Sequence, residues 1–179
     1  MKSALMHDNF WNGTTIGGDA ALLPWLHDHG SLTQRIQLHC KNFAVHPQHS
    51  GLARIAYDES ALLGIPPRQL AYSREVFLHA DGMPVVFAHS TCATEHLHGV
   101  WAAIAGLGSQ SLGSMLFSHP QVERRPLHFK ALRSHHPLYQ RASAAEETPS
   151  MLWARRSLFY LHDAPLLVTE VFLPGILKL

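Results

Sequence analysis

The segment 69–91 constrains the fold more than any other part of the sequence. Apolar residues alternate with others along its first half, which is the period of a strand with one buried face. Asp81-Gly82 then supplies the residues that a tight two-residue turn prefers, and a return strand follows through Val85 and Phe87. The segment therefore predicts an antiparallel hairpin. The residues that share its predicted buried face are Leu70, Tyr72, Arg74, Val76 and Leu78.

Two further regions predict strands. Residues 151–173 have the pattern of a second hairpin with its turn near Asp163-Ala164-Pro165, and residues 42–57 have that of a weaker strand pair turning at 46–51. A mixed helical region covers 95–117. Because the strands come as hairpins with helices between them, the expected fold class is α+β, an antiparallel β-sheet built from hairpins with helices packed on it.

Two helices are expected ahead of these strands. Asp19 can cap a first helix that ends near Gly30, with Pro24 in its opening turns or at a kink. Ser31-Leu32-Thr33-Gln34 has the spacing of a capping box, in which the serine accepts a hydrogen bond from a free amide and the glutamine reaches back. Leu32 therefore lies at a predicted helix start.

Composition and charge limit the function classes. The 179 residues carry a net charge of +1, so no nucleic-acid partner held by a broad basic field is expected. No linker or repeat divides the chain, which predicts one domain over 1–179 with a loose lead-in at 1–18. Cys40 and Cys92 lack a paired spacing and predict free thiols. Neither a secretory signal nor a membrane span is predicted, so a cytoplasmic protein is expected.

Arg74 is a charged residue on the buried face of the first hairpin. A buried guanidinium without an anionic partner is costly, so an anion must lie beside it. Pairing outward from Asp81-Gly82 places His89 directly opposite Arg74, which directs two potential cations into one cavity. The anion is either a protein carboxylate or a bound acid, and the residues alone leave both alternatives open.

Glu170 is the corresponding exception in the second hairpin. It lies within the apolar run 166–173, where a carboxylate is either paired or carries a raised pKa. The predicted turn places Ser157 opposite Glu170 and Arg155 diagonal to it. A structural ion pair with Arg155 is therefore an alternative to a ligand contact.

The remaining candidate features are a helix start and many histidines. Residues 109–113 precede an apolar run and predict a helix start at Leu112, whose backbone amides favour a carboxylate, although an ordinary capped helix explains the pattern as well. The 15 histidines show neither an HExxH order nor a zinc-ligand spacing, so no metal site is predicted. No dinucleotide loop, phosphate loop or nucleophile elbow is present, and no cofactor is expected. The close pairs are His27/His29, His96/His98 and His135/His136.

Four blocks, in order, resemble the chorismate lyase family. The strongest is WARRSLFYLHDAPLLVTEVFLP (153–174), which is similar to the family's W-x-R-R-S segment and its P-L-L-x-T-E-x-F-L-P strand. SREVFLHADGMPVVFA (73–88) resembles the R-E-x-x-L-x-x-D-G-x-P hairpin, and LGSQSLGSMLF (107–117) resembles L-G-x-x-x-L-G-x-x-L-F. LLPWLHDHGSLTQRI (22–36) is a fainter match. The resemblance extends from about residue 20 to the end of the chain.

The resemblance implies a chorismate lyase-like fold with an enclosed ligand cavity, and a monomeric, cofactor-free enzyme that splits chorismate into 4-hydroxybenzoate and pyruvate. The family's carboxylate-binding arginine falls on Arg74, and the acid that meets the ring hydroxyl falls on Glu170. Further substrate contacts fall on Leu112 and Leu32. The family usually has a second arginine where this chain has His89. His89, with Arg155 or Arg156 nearby, is therefore expected to bind the second substrate carboxylate, with activity that is weaker or falls above neutral pH.

Two other function classes stay open. A non-catalytic domain of the same fold, like the effector-sensing domains of some bacterial transcription regulators, would bind an aromatic acid without turnover. A histidine-rich metal-binding protein is the third class. An assay with chorismate separates the first two classes, and metal analysis of the purified protein separates the third.

Overall fold

The computed structural model describes residues 11–15 and 17–179. Within them seven strands form one antiparallel sheet in the order β1-β2-β3-β7-β6-β4, and β5 pairs with β6 alongside β4. The strands are β1 (Phe43–Arg54), β2 (Leu70–Ala80), β3 (Met83–Cys92), β4 (Val122–Arg124), β5 (His128–Arg133), β6 (Met151–Leu161) and β7 (Ala164–Phe172). The helices are α1 (Leu23–Leu26), α2 (Leu32–Leu38), α3 (Tyr57–Leu63), α4 (Thr94–Leu97), α5 (Ala102–Ala105), α6 (Leu112–Ser118) and α7 (Pro137–Ala142), followed by a 3₁₀ helix (Pro174–Lys178).

The first predicted hairpin is confirmed. β2 and β3 pair antiparallel on either side of Asp81-Gly82, whose φ angles of 49° and 83° are the positive values that a type I′ turn requires. The Asp81 carboxylate accepts hydrogen bonds from the backbone N–H groups of Lys41 and Asn42 at 3.0 and 2.8 Å. The turn therefore has a local cause and is also anchored to the start of β1.

β1 is a single strand where the sequence predicted a pair. Residues 43–54 run beside β2 without reversing direction, and a bulge falls between Pro47 and His49. The prediction of a turn within 42–57 was therefore wrong. β1 lies at the edge of the sheet, where proline can be accommodated within a continuous strand. A proline on an edge strand costs no ladder hydrogen bond when its nitrogen faces solvent, so Pro47 does not end the strand.

The first helix is much shorter than predicted. α1 covers Leu23–Leu26 with Pro24 in its first turn, and it does not reach Gly30. The carbonyl oxygens of its last two residues accept hydrogen bonds from Arg155 Nη1, at 3.0 and 3.2 Å. Arg155 thus supplies the hydrogen bonds that a further helical turn would have given to these two carbonyl groups, so the helix can end here.

Helices cover both faces of the sheet. α1, α2 and α4 to α6 pack on one face, through buried side chains such as Leu26 and Ile104. α3 and α7 pack on the opposite face, through Leu63 and Leu138. This arrangement confirms the α+β class, with an antiparallel sheet and helices packed against it.

The predicted loose lead-in at 1–18 lies largely outside the described residues. Within its described part, Asn12 and Phe129 exchange two backbone hydrogen bonds of 2.9 and 2.7 Å. That position of the lead-in is therefore attached beside β5. The organisation of 1–179 as one domain stays a prediction.

Candidate active site

A cleft lies between the sheet and the helices of one face. Side chains from β2, β3 and β7 form its floor, because Val76 pairs with Ala88 and Ala88 pairs with Glu170 across the strands. The cleft is narrow, with a cavity volume of about 40 Å³, and about 600 Å³ of empty space is counted only when the part that opens to solvent is included. Complete enclosure of a ligand there stays a prediction. Its wall includes Leu32, Thr33, Arg74, Ser111, Leu112, Arg124, Phe159 and Glu170.

Arg74 lies in the cleft wall and is buried, as the alternation along its strand predicted. Its Nη2 group donates to the carbonyl oxygens of Gly108 and Gln110 at 3.0 and 2.9 Å. Burial lowers the pKa of Arg74 from its ordinary value. Within residues 11–15 and 17–179 no carboxylate forms an ion pair with Arg74. Neutral carbonyls therefore position this guanidinium without neutralising its charge.

Glu170 forms an ion pair with Arg155 from the neighbouring strand. The second hairpin turns at His162-Asp163, one residue earlier than predicted, and this register places Arg155 directly opposite Glu170. The prediction of Ser157 opposite Glu170 was wrong, because Pro165 is typical of turns but here already belongs to β7. Arg155 Nε donates to Glu170 Oε2 at 2.6 Å. The ion-pair alternative is therefore realised, and the Glu170 side chain also lines the cleft.

Arg155 is fully buried and connects three elements. Besides its bond to Glu170, it donates through Nη1 to the carbonyl oxygens of Trp25, Leu26 and Asp28 at 3.0, 3.2 and 2.7 Å. Its Nη2 is buried and has no hydrogen-bond partner among the described residues. Arg155 therefore orients Glu170 while it closes the end of α1.

Leu32 and Leu112 occupy the first positions of α2 and α6, and both are buried in the cleft wall. Their caps, Ser31 and Ser111, accept hydrogen bonds from backbone amides at 3.3 and 3.4 Å. Both predicted helix starts are confirmed. Thr33 Oγ1 lies 2.6 Å from Ser111 Oγ, so a hydrogen bond joins the two starts. Residues from two separate helices thus meet at one wall.

Arg124 is a cleft residue that no sequence pattern pointed out. It lies on β4, a strand of three residues, opposite Phe159 of β6. Its Nη1 donates to the carbonyl oxygen of His29 at 2.9 Å, and its Cζ lies 5.5 and 5.4 Å from the ring centroids of Phe117 and Phe159. Burial lowers the pKa of Arg124, although the negative charge of Glu170 acts in the opposite direction and raises it. A strand this short has no detectable period, so sequence reasoning missed Arg124.

His89 does not face Arg74, and its expected role in substrate binding was wrong. The hairpin pairs as predicted near its turn, but Val85 is an extra residue on β3, a β-bulge. The Val85 carbonyl accepts a hydrogen bond from Leu173 N at 3.0 Å instead. Beyond the bulge the register is displaced by one residue, so Ser90 lies opposite Arg74 and His89 points to the other face of the sheet.

On that other face, His89 joins two carboxylates. Its Nε2 lies 3.0 Å from Glu59 Oε1 and its Nδ1 lies 2.9 Å from Glu75 Oε1, which Arg141 Nε also contacts at 2.7 Å. The Nδ1 contact has hydrogen-bond geometry, whereas the Nε2 contact with Glu59 is a close ion pair without it. Burial alone lowers the pKa of His89, but its contacts with the Glu59 and Glu75 carboxylates outweigh burial and raise the pKa to about 9. His89 is therefore a protonated structural residue, and the expected loss of activity above neutral pH through this group has no basis.

Few other groups in the described residues offer chemistry. Within 11–15 and 17–179 no cluster of three or more His, Cys, Asp or Glu side chains could hold a metal ion, and no helix is long and apolar enough to cross a membrane. Cys40 and Cys92 are free thiols, and burial raises the pKa of Cys92 to about 12. The ionisable side chains of the cleft wall are Arg74, Arg124 and Glu170.

An antiparallel sheet carrying a cleft with two arginines, one carboxylate and apolar walls has the chemistry that favours a small organic anion. A family model described as chorismate lyase matches residues 11–178. This chain belongs to the chorismate lyase family, which confirms the resemblance of its four sequence blocks.

Relatives of similar length support this assignment. A probable chorismate pyruvate-lyase of Nitrosomonas europaea is 46% identical over 170 residues, which cover 94% of this chain and 96% of the relative. A protein of the same description from Nitrosospira multiformis is 50% identical over 157 residues, which cover 87% of each chain.

Solved structures with a similar fold are effector domains of bacterial regulators. The PhnF C-terminal domain superimposes with a TM-score of 0.61 at 15% identity, covering 90% of this chain and 96% of that domain. The effector domain of PhnF from Mycobacterium smegmatis gives a TM-score of 0.55 at 12% identity, covering 82% and 90%. At these identities the likeness shows the fold alone.

Proposed function

We propose that this chain is a chorismate pyruvate-lyase, which removes pyruvate from chorismate and leaves 4-hydroxybenzoate. The observation that carries the proposal is the presence of Arg74 and Glu170 in the wall of one cleft, in a member of the chorismate lyase family. The ring of chorismate carries a carboxylate at one end and a hydroxyl at the other. A guanidinium and a carboxylate side chain match these two groups in charge and hydrogen bonding.

Each contact has a physical role in this proposal. Arg74 and the main chain of Leu112 bind the ring carboxylate, because a buried cation and a helix-start amide both favour an anion. Glu170 accepts a hydrogen bond from the ring hydroxyl. Leu32 packs against the ring and keeps water from it. Arg155 positions Glu170 through the 2.6 Å bond to its Oε2.

The reaction needs orientation more than it needs a reactive group. The ether C–O bond breaks, the ring loses a hydrogen from carbon, and that proton ends on the departing enolpyruvyl group, which becomes pyruvate. Formation of the aromatic ring supplies the driving force, so neither a nucleophile nor a redox partner is required, and we propose an enzyme without a cofactor. The site orients a flexible dianion and stabilises charge that moves onto the departing group. The proton is transferred either through Glu170 as general base and acid or directly within the substrate.

The same proposal covers the protein's setting. Its family resemblance implies a cytoplasmic monomer without a nucleic-acid partner, whose product feeds the synthesis of the ubiquinone head group. A second candidate is favoured by the fold shared with the PhnF effector domains. In that case the cleft binds an aromatic acid without converting it.

Incubation of the purified protein with chorismate separates the two candidates. We expect pyruvate and 4-hydroxybenzoate to form in equal amounts, at a rate that Arg74→Gln strongly reduces. Arg133→Gln is the matched control, because Arg133 is an exposed arginine at the end of β5. Binding of 4-hydroxybenzoate without release of pyruvate would favour the effector domain, and absence of both binding and turnover would overturn both candidates.

A further inference from the structure

The cleft wall holds two arginines, and the proposed substrate carries two carboxylates. Arg74 is assigned to the carboxylate on the ring, which leaves the carboxylate of the enolpyruvyl group without a partner. We infer that Arg124 binds this second carboxylate, an inference that rests on the proposed function. Arg124 would then hold the part of the substrate that leaves as pyruvate.

The contacts of Arg124 leave it able to bind an anion. Its Nη1 donates to the carbonyl oxygen of His29, a neutral acceptor. Its Nε is buried and has no hydrogen-bond partner among the described residues. A buried N–H group without an acceptor is costly, and a bound carboxylate would supply one. The rings of Phe117 and Phe159 pack beside the guanidinium and fix its plane.

The charge of Glu170 indicates which end of the substrate Arg124 would meet. The Arg124 charge interacts with those of Glu170, the group assigned to the ring hydroxyl, and of Asp28, which is already paired with Arg35. In chorismate the enolpyruvyl ether is on the carbon next to the one that bears this hydroxyl. The second carboxylate therefore falls near Glu170 and away from the ring carboxylate held by Arg74.

Other cations near the sheet do not fit this role. His89 lies on the opposite face and contacts two protein carboxylates. Arg155 is paired with Glu170 and is not part of the cleft wall. Arg156 is paired with Asp58 and lines a different cavity on the far face.

The position of Arg124 gives it a role in the reaction as well as in binding. As the ether bond breaks, negative charge grows on the enolpyruvyl oxygen, next to the carboxylate that Arg124 holds. A guanidinium already fixed by two aromatic rings and a carbonyl oxygen stabilises this charge without reorganising. A neutral side chain at this position would leave both the carboxylate and the growing charge unpaired.

A pair of ligands that differ by one carboxylate tests the inference without turnover. 4-Hydroxybenzoate carries only the ring carboxylate, whereas 3-(carboxymethoxy)-4-hydroxybenzoate also carries a carboxylate at the position of the enolpyruvyl group. Dissociation constants for both are measured by calorimetry. Because one charged hydrogen bond is lost, Arg124→Gln is expected to raise the dissociation constant of the dianionic ligand about 10- to 100-fold. The dissociation constant of 4-hydroxybenzoate should rise less than about 3-fold.

Three further variants complete the experiment. Arg125→Gln removes the neighbouring charge, which is largely exposed, and is expected to change neither constant. Arg74→Gln is expected to weaken the binding of both ligands, because both carry the ring carboxylate. Arg124→Lys keeps the charge but not the planar guanidinium. It is expected to weaken binding of the dianionic ligand by a smaller factor and to leave binding of 4-hydroxybenzoate unchanged. It serves in place of Arg124→Gln if that variant does not fold.

The outcomes separate this inference from the proposed function. If Arg124→Gln weakens the binding of both ligands equally, or of neither, the role of Arg124 is overturned. Turnover of chorismate by the unmodified protein would still support the lyase proposal. Selective loss of the dianion in a protein that releases no pyruvate from chorismate would support the role of Arg124 and overturn the lyase proposal.

Discussion

Replacing His89 with glutamine tests the charge network on the face opposite the cleft. The folded protein holds the pKa of His89 at about 9, against about 6.5 in an unfolded chain. Because the folded state binds the proton more tightly, the stabilisation is fully present below about pH 6.5 and is lost as the pH rises through about 9. At about 1.4 kcal/mol for each pKa unit, the difference corresponds to about 3 kcal/mol of unfolding free energy.

Glutamine keeps the approximate size of the side chain and can donate to one carboxylate, but it carries no charge. Glu75 retains its ion pair with Arg141 in this variant, whereas the buried Glu59 loses its ion pair with His89. We therefore expect His89→Gln to lower the free energy of unfolding by about 3 kcal/mol at about pH 6. Near pH 10 both proteins carry a neutral side chain at this position, and their stabilities should converge to within about 1 kcal/mol.

Urea denaturation followed by circular dichroism, at about pH 6 and about pH 10, measures both differences. His128→Gln is the matched control, because His128 is an exposed histidine on β5. A destabilisation that is the same at both pH values, or that grows toward high pH, would refute the reasoning. Because His89 lies outside the cleft, the pH dependence of kcat/KM should be the same in the folded variant and the unmodified protein.

Three further substitutions have defined outcomes. Arg74→Gln should cost about 2–4 kcal/mol of transition-state stabilisation in kcat/KM for chorismate, and an unchanged rate would contradict its assignment. Arg155→Met leaves the Glu170 carboxylate and three carbonyl groups without their donor, so urea denaturation should show a loss of about 3 kcal/mol, and a loss below about 1 kcal/mol would oppose this account. A Cβ at Gly175 would lie 2.5 Å from the Pro84 carbonyl oxygen. Gly175→Ala should therefore lower stability by about 1–3 kcal/mol, and an unchanged Tm would show that the backbone moves freely there.

Parts of the fold were predictable because their causes lie within a few residues. Asp81-Gly82 reverses the chain because both residues accept a positive φ angle, whatever surrounds them. Ser31 starts α2 because its hydroxyl accepts from an amide three residues later. The inward direction of Arg74 follows from the alternation of its own strand.

The register of the strands and their positions in the sheet were not predictable in the same way. The bulge at Val85 depends on Leu173, whose amide bonds to the Val85 carbonyl from a distant part of the chain. Because strand side chains alternate between faces, this one extra residue moved His89 from the expected cleft to the opposite surface. Pro47 did not end β1 because the strand lies at the sheet edge, a position that no local pattern reveals.

Local sequence patterns were enough to predict the hairpin at Asp81-Gly82, the helix starts at Leu32 and Leu112 and the burial of Arg74, because turn chemistry, caps and alternation act between near neighbours. The choice of Arg155 as the partner of Glu170, which the residues alone had left open, and the place of Arg124 in the same cleft both come from tertiary packing. Arg155 contacts Trp25 across 130 positions of the chain, and Arg124 contacts His29 across 95. Such contacts depend on how separate strands and helices pack, and packing is a property of the whole chain.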